Sequence, residues 1–541
     1  MRERLFLSLR SGLWLLLFLS LLAGTGWALP GGVSIQKTFL GKPSDDWQIF
    51  SDSIAFSPDM NHVAVAVITR EGMRVAIDDK MGETYSRIAK GYPVFSPSRN
   101  RAAYIAARGN QHFVVIDGKE SAAYDSVCCL RFSPDGSYTA YIVQDKDKQH
   151  LVLNGNRMKA YDMIDIVFGP VFSPDSKKIV YVAKNNAENN VRLIVNGQES
   201  SPCDAITEIL FSPDGKTVAY IATRGKKQFV IRGAREEGPY DKAEGLTWSP
   251  DSKKLAYIAI RNDEFLVVHN GRVIPVGSCS PQTVFYEGGL FATIIPQITQ
   301  PSFSPDSSLL AFTRMEQGKY QVVIGSKTGP PFNLVTSVVF SPDSKHYAYT
   351  GVSEKTAGAT MQMVHNETSG QAYDFIDQPT FSPDSGHLAY RIGQNGLWAM
   401  VLDEKPQKFY DSVGPPYFSP DSRILAYQAM SGNKAVMVVN GQEQSYPVEF
   451  QENEGISPKI SRPCFSPDSR HLAYLVKPKL LQCQLVINGN IVETFDFVVS
   501  QEIDPPIVFN RENKTRILGA FLEGDRFKFF WYDIAINGQN K

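Results

Sequence analysis

The chain has 541 residues, 43% of them hydrophobic, and sets 55 Lys and Arg against 56 Asp and Glu. That length holds more core than one small domain needs. A near-neutral chain with no basic stripe argues against nucleic-acid binding, because phosphate contacts demand a cationic surface.

In chain order, the first element reads as a secretory signal over 1–28. Arg2, Arg4 and Arg10 make a basic start, Leu13 to Leu22 an apolar run and Gly26-Trp27-Ala28 a small-residue cleavage site. The run falls short of the about 20 residues a membrane-spanning helix needs. The mature chain is therefore expected to be exported, periplasmic or extracellular, with no membrane span. Residues 29–44 follow as an N-terminal segment. Within it Val33 to Leu40 reads as a spare strand, able to close a ring by pairing with the last repeat.

From there one phrase recurs: an aromatic residue, Ser-Pro, and usually Asp. It stands at Phe56, Phe95, Phe132, Phe172, Phe211, Trp248, Phe303, Phe340, Phe381, Phe418 and Phe465, with a worn twelfth copy at Phe509. The starts lie 37 to 47 residues apart, except for 55 between Trp248 and Phe303. A period near 40 means one supersecondary unit built repeatedly.

The copy from Val127 to Asp162 shows what the unit is. Leu130-Arg131-Phe132 is a short strand, and Ser133-Pro134-Asp135-Gly136 turns the chain, Pro presetting φ and Ser and Asp bonding local backbone. Tyr138 to Val143 and Leu151 to Leu153 are strands two and three, Asn154-Gly155 is a hairpin turn, and Met158 to Tyr161 is strand four. Nine residues after the phrase's aromatic comes a Tyr in most copies, preceded by Ala, as in Ala140-Tyr141, Ala256-Tyr257 and Ala426-Tyr427. Neighbours in a strand face opposite ways, so each sheet offers large side chains on one face and small ones on the other. Such sheets bury both faces only by stacking on one another.

The Ser-Pro-Asp-Gly phrase in such a meander resembles the WD-like repeats of the TolB-type β-propeller family of exported bacterial proteins, over roughly residues 45–541. The resemblance implies an all-β fold of tandem β-propellers with an interaction role in the cell envelope. Propellers commonly have about four to eight blades, so about twelve four-stranded antiparallel blades suggest two six-bladed rings. Split at the longest interval, they are a first propeller over 45–282, an inserted hairpin or linker over 283–296, and a second propeller over 297–541, its last repeat degenerate.

Two sets of residues are candidates for contact with other molecules. Tyr-Asp or a variant ends strand four in many copies, supplying Asp125, Asp162, Asp204, Asp241, Asp374 and Asp411. These either cap turns or form a rim of carboxylates around a channel mouth, for a cation or a basic partner. The inserted hairpin carries Phe285, Tyr286, Leu290 and Phe291, which suit a protein partner or a clasp between rings.

The phrase aspartates, and His62, His346, His387 and His471, each repeat one position in different blades, so they read as structural. The six cysteines (Cys128, Cys129, Cys203, Cys279, Cys464 and Cys483) share no spacing. They read as buried free thiols, one disulfide being the alternative. Cys128 and Cys129 are expected on opposite faces of a strand. Gly-x-Ser-x-Gly, Walker A, His-Glu-x-x-His and paired Cys-x-x-Cys do not occur, so no catalytic, metal or cofactor residues are assigned. The expected function is a non-enzymatic scaffold for another envelope or secreted protein or peptide. The alternatives are a small-ligand or cation binder in a propeller channel, and a hydrolase or lyase with its site on rim loops.

Overall fold

The computed structural model describes residues 33–39, 48–49, 53–59, 62–78, 80–185, 190–278, 282–285, 291–294, 298–355, 358–449, 459–479, 482–498, 507, 509, 514–523 and 526–536. The signal segment 1–28 lies outside them. No α-helix occurs among the described residues, which form twelve antiparallel sheets of four or five strands and one two-stranded hairpin. In the third sheet Ser126–Phe132, Thr139–Asp145, Lys148–Leu153 and Asn156–Tyr161 pair in sequence. Asn154 and Gly155 at the hairpin have φ of 47° and 80°, as a type I′ turn requires. Where a fifth strand is present, the first strand is broken in two. Met163–Ile164 and Val171–Phe172, for example, both pair with Ile179–Asn185.

The sheets stack as the blades of a β-propeller, and the alternation in strand two decides how. Ala140 faces the fourth sheet, where Tyr181 lies in the same buried cluster, while Tyr141 faces the second sheet and its Ala103. The same small-against-large fit joins Ala219 to Tyr257, Ala348 to Tyr390, Ala389 to Tyr427 and Ala426 to Tyr474. The aromatic that ends the preceding blade adds an edge-on ring contact, as in Tyr124–Tyr141 at 6.3 Å and Tyr161–Tyr181 at 6.2 Å between centroids; such pairs are favourable beyond the area they bury. Stacking continues from the sixth sheet to the seventh, where Ala256, Ile258 and Val267 share a cluster with Leu310, Phe312 and Val323. The hairpin Gln282–Phe285 and Phe291–Ile294 is inserted between these two sheets without interrupting that contact.

The phrase itself ties sheet to sheet. Its Ser is buried in each of the eleven copies from Phe56 to Phe465; Ser133 Oγ donates to Asp135 Oδ1 at 2.6 Å and accepts the Tyr138 N–H at 2.9 Å. The residue after Asp is usually a second Ser, held in the left-handed region: φ is 61° at Ser176, 65° at Ser307 and 67° at Ser422. Non-glycine residues are uncommon there, and the tertiary structure supplies the reason. Each of these hydroxyls accepts the N–H of the phrase Asp in the preceding sheet, as in Asp135 to Ser176 at 3.0 Å, Asp251 to Ser307 at 2.9 Å and Asp384 to Ser422 at 2.9 Å. Gly215 takes that position in the fifth sheet, with φ of 71°, a conformation glycine adopts without strain.

Ser307→Ala keeps the backbone requirement but leaves the Asp251 N–H unpaired, and is expected to cost about 1–3 kcal/mol. Chemical denaturation measures this, and a midpoint equal to wild type would refute the stitch. The carboxylates of these turns are held below the usual range by the phrase Ser hydroxyl first and then the N–H two residues on; Asp306 is brought to about 2. Their folded pKa values lie under the unfolded value of about 3.9, so their stabilisation is complete above about pH 5 and is lost as pH falls through the folded values. The denaturation midpoint should accordingly stay level from about pH 8 to about pH 5 and drop below about pH 4. A midpoint that is level down to about pH 2 would show that these carboxylates contribute nothing.

The two ends of the chain meet in one sheet. Val33–Phe39 pairs antiparallel with Arg526–Ile536, from Val33 opposite Ile536 to Phe39 opposite Phe530. The order across that sheet is Phe497–Val498, Lys514–Glu523, Arg526–Ile536, Val33–Phe39. The N-terminal strand is thus the outer edge of the last blade.

Candidate functional site

The Tyr-Asp pairs divide their labour. Tyr124, Tyr161, Tyr240, Tyr373 and Tyr410 are buried, while the carboxylates reach the hairpin of the blade they open. Asp125 accepts the Lys146 N–H at 2.7 Å, Asp204 that of Gly225 at 2.6 Å and Asp241 that of Asn262 at 2.9 Å. Asp374 accepts from Asn395 at 2.8 Å and Asp411 from Gly432 at 2.6 Å. Asp162 pairs with Lys148 Nζ at 2.5 Å. Asp241 is also bonded to Lys227 Nζ at 2.5 Å, which, with the Asn262 N–H, lowers its pKa.

Histidines behave alike: His62 Nδ1 lies 2.8 Å from Asp78 Oδ2 and His387 Nδ1 lies 2.7 Å from Asp403 Oδ2, both at hairpin tips. No group of three or more His, Cys, Asp or Glu that could hold a metal ion forms among the described residues. A shallow polar depression beside Asp125 contains Ser86, Asn110, Arg87 and His112, with the Arg87 guanidinium donating to His112 Nε2 at 3.1 Å. Of the hairpin candidates, Phe285 and Phe291 are paired in the backbone; their side chains, and all of Tyr286 and Leu290, lie outside the described residues.

A different surface stands out at the first-strand edge of the third and fourth sheets. The strand Ser126–Phe132 slips register between Cys128 and Arg131, a β-bulge that leaves Cys129 with φ of 59°. Bulges re-aim side chains, and this one overturns the expectation of opposite faces. Both cysteines pack on the cluster between sheets three and four, with their sulfurs 3.3 Å apart. The Cys129 Sγ also lies 3.6 Å from the Ile166 carbonyl oxygen. A hydrogen bond from Cys128 stabilises the Cys129 thiolate, outweighing burial, and with help from Arg131 brings its pKa down to about 7. Cys128 is raised in turn by the same bond and by burial.

The same repeat position, three residues before the phrase's aromatic, is left-handed in the fifth and sixth sheets too, at Glu208 (φ 49°) and Gly245 (φ 70°). Glu208 uses it to reach the next blade, its two carboxylate oxygens each accepting one N–H, from Gly245 and Leu246, at 2.9 Å. At the third sheet the neighbour is the turn Asp165 to Gly169. Asp165 Oδ1 accepts the Val167 N–H at 2.8 Å and the Phe168 N–H at 3.2 Å. Gly169 (φ 58°) lies against Cys129, where a Cβ would come 3.5 Å from the cysteine Cβ. This turn holds Ile166 60% exposed and Val167 85% exposed, with Met163 at 44% just before it. Sequence periodicity missed the group because it sits in the break of an interrupted first strand. The signal available was an apolar Ile166-Val167-Phe168 run between two strands.

No protein-family model matches the chain, and no curated protein matches it. Among solved structures, TolB from Acinetobacter baumannii is similar over 51% of this chain and 77% of its own, at 14% identity and a TM-score of 0.21. Hydrazine synthase from Kuenenia stuttgartiensis is similar over 60% of this chain and 95% of its own, at 14% identity and a TM-score of 0.24. The propeller fold of this chain therefore stands on its own blades: twelve antiparallel sheets of four or five strands, most of them stacked Ala against Tyr and stitched by the Ser-Pro-Asp phrase.

Proposed function

We propose that this chain is an exported, non-enzymatic β-propeller scaffold that holds another protein or peptide of the cell envelope. The observation that carries the reading is the exposed apolar group Met163, Ile166 and Val167 on a turn braced by Asp165. Large apolar side chains clustered on the surface of a rigid scaffold suit a protein contact. The carboxylates and histidines described above are bonded to hairpins and strands of their own or the adjoining blade, which supports a scaffold over a site of converging titratable groups. Export rests on the basic and apolar character of residues 1–28. No helix among the described residues is long and apolar enough to cross a membrane.

The test is affinity capture from envelope extract by three proteins, each beginning at residue 29: the parent, an Ile166→Asp/Val167→Asp double variant, and a deletion of 283–295. A single protein recovered stoichiometrically by the parent and the deletion, and lost by the double variant, is the expected result. Loss only with the deletion would move the contact to the hairpin. Retention of nothing by the parent would overturn the scaffold and turn attention to small ligands.

A further inference from the structure

We propose that Cys128 and Cys129 form a reversible modification site, a vicinal dithiol that low-molecular-mass disulfides oxidise to a disulfide between the two neighbours. The geometry comes first. In a regular strand adjacent side chains point to opposite faces, and no bond between them could form. Here the bulge turns both onto one face and brings the sulfurs to 3.3 Å. The two thiols are partly buried, and Cys129 is the one beside the exposed Ile166 turn.

The other described cysteines lack such a neighbour. Cys203 and Cys483 are buried, and burial raises the thiols of Cys203, Cys464 and Cys483. Cys129 is favoured as the attacking sulfur, being the better thiolate of the pair.

The chemistry balances in two exchanges. The Cys129 thiolate attacks one sulfur of the incoming disulfide, forming a mixed disulfide and releasing one thiolate, which is protonated. Cys128 then gives up its proton and attacks the Cys129 sulfur, releasing the second thiol. The two protein sulfurs have lost two electrons and the incoming disulfide has gained them. Neighbouring Cα atoms are about 3.8 Å apart, short of the roughly 4.4–6.8 Å of ordinary disulfides. The closed ring is therefore strained and easily reduced, which makes it a reversible modification and not a staple.

Oxidised glutathione added to the full chain tests this, read by mass spectrometry of the tryptic peptide Glu120–Arg131, which holds both cysteines and no other. The expected product is that peptide lighter by two hydrogens, free of glutathione, and restored by reduced glutathione. Cys128→Ser should stop at one stable glutathione adduct on Cys129. Cys129→Ser should react roughly tenfold more slowly. A parent peptide that carries two glutathiones, stays unmodified, or is cross-linked to another cysteine overturns the proposal without recourse to either variant. Equal rates for Cys129→Ser and parent overturn the assignment of Cys129 as the attacking sulfur.

Discussion

Deleting residues 29–42 should lower the melting temperature by roughly 5 °C, through loss of the strand that completes the last blade. Val33–Phe39 lies in register with Arg526–Ile536 across seven residue pairs, as the outer strand of its sheet. Without it the backbone groups that faced it open to solvent at about 1 kcal/mol net for each lost hydrogen bond, several kcal/mol in all. The strand left at the edge is Arg526-Phe527-Lys528-Phe529-Phe530-Trp531-Tyr532 and onward, a long edge of unpaired backbone groups in an aromatic-rich sequence that invites aggregation. A synthetic peptide spanning 29–42 should restore part of the loss when added in excess. A thermal scan by circular dichroism decides the matter: an unchanged melting curve would mean that the pairing contributes nothing to stability.

Tyr257→Ala should cost about 3–5 kcal/mol, the range for deleting a large buried aromatic. Tyr257 is fully buried where the fifth sheet meets the sixth. Its ring lies edge-on to Tyr240 at 5.9 Å, and its hydroxyl donates to Glu237 Oε2 at 2.7 Å. Burial, reinforced by those polar partners, pushes its pKa far up, so it stays neutral through the accessible pH range. Tyr257→Phe keeps the ring and should cost only about 1.5–3 kcal/mol, the worth of a hydrogen bond to a charged group. The residue beside it makes the reverse case. Ala256 faces the seventh sheet and Phe312, and Ala256→Leu should cost about 1–3 kcal/mol by overpacking. Urea denaturation of the three variants separates these effects. If Tyr257→Ala and Tyr257→Phe lose equal amounts, ring packing is not what the position supplies.

Much of the fold was legible because its causes are local. Ser-Pro-Asp makes its own turn, Asn-Gly its own hairpin, and the Ala-Tyr step fixes which face is small and which is large. Each of these acts within a few residues and recurs along the chain. The structural role of the histidines was legible for the same reason, since a shared repeat position places each at its own hairpin. The candidate site was less so. Six carboxylates could be listed, but whether they face a channel or a turn depends on a hairpin tip 21 residues on, such as Lys146 for Asp125.

By itself, then, the sequence determined the repeat, its four-stranded meander and the need for sheets to stack, because alternation and turn chemistry are properties of near neighbours. Only the tertiary structure decided what depends on a partner from elsewhere in the chain. A bulge set by pairing with Thr139–Asp145 turned Cys129 to the side of Cys128. The N–H of Asp251 explains a left-handed Ser307 fifty-six residues away. The sixth sheet found the seventh across an inserted hairpin, and a strand at residue 33 found one ending at 536. Register and long-range pairing are chosen by the whole buried surface at once, which no short stretch of sequence contains.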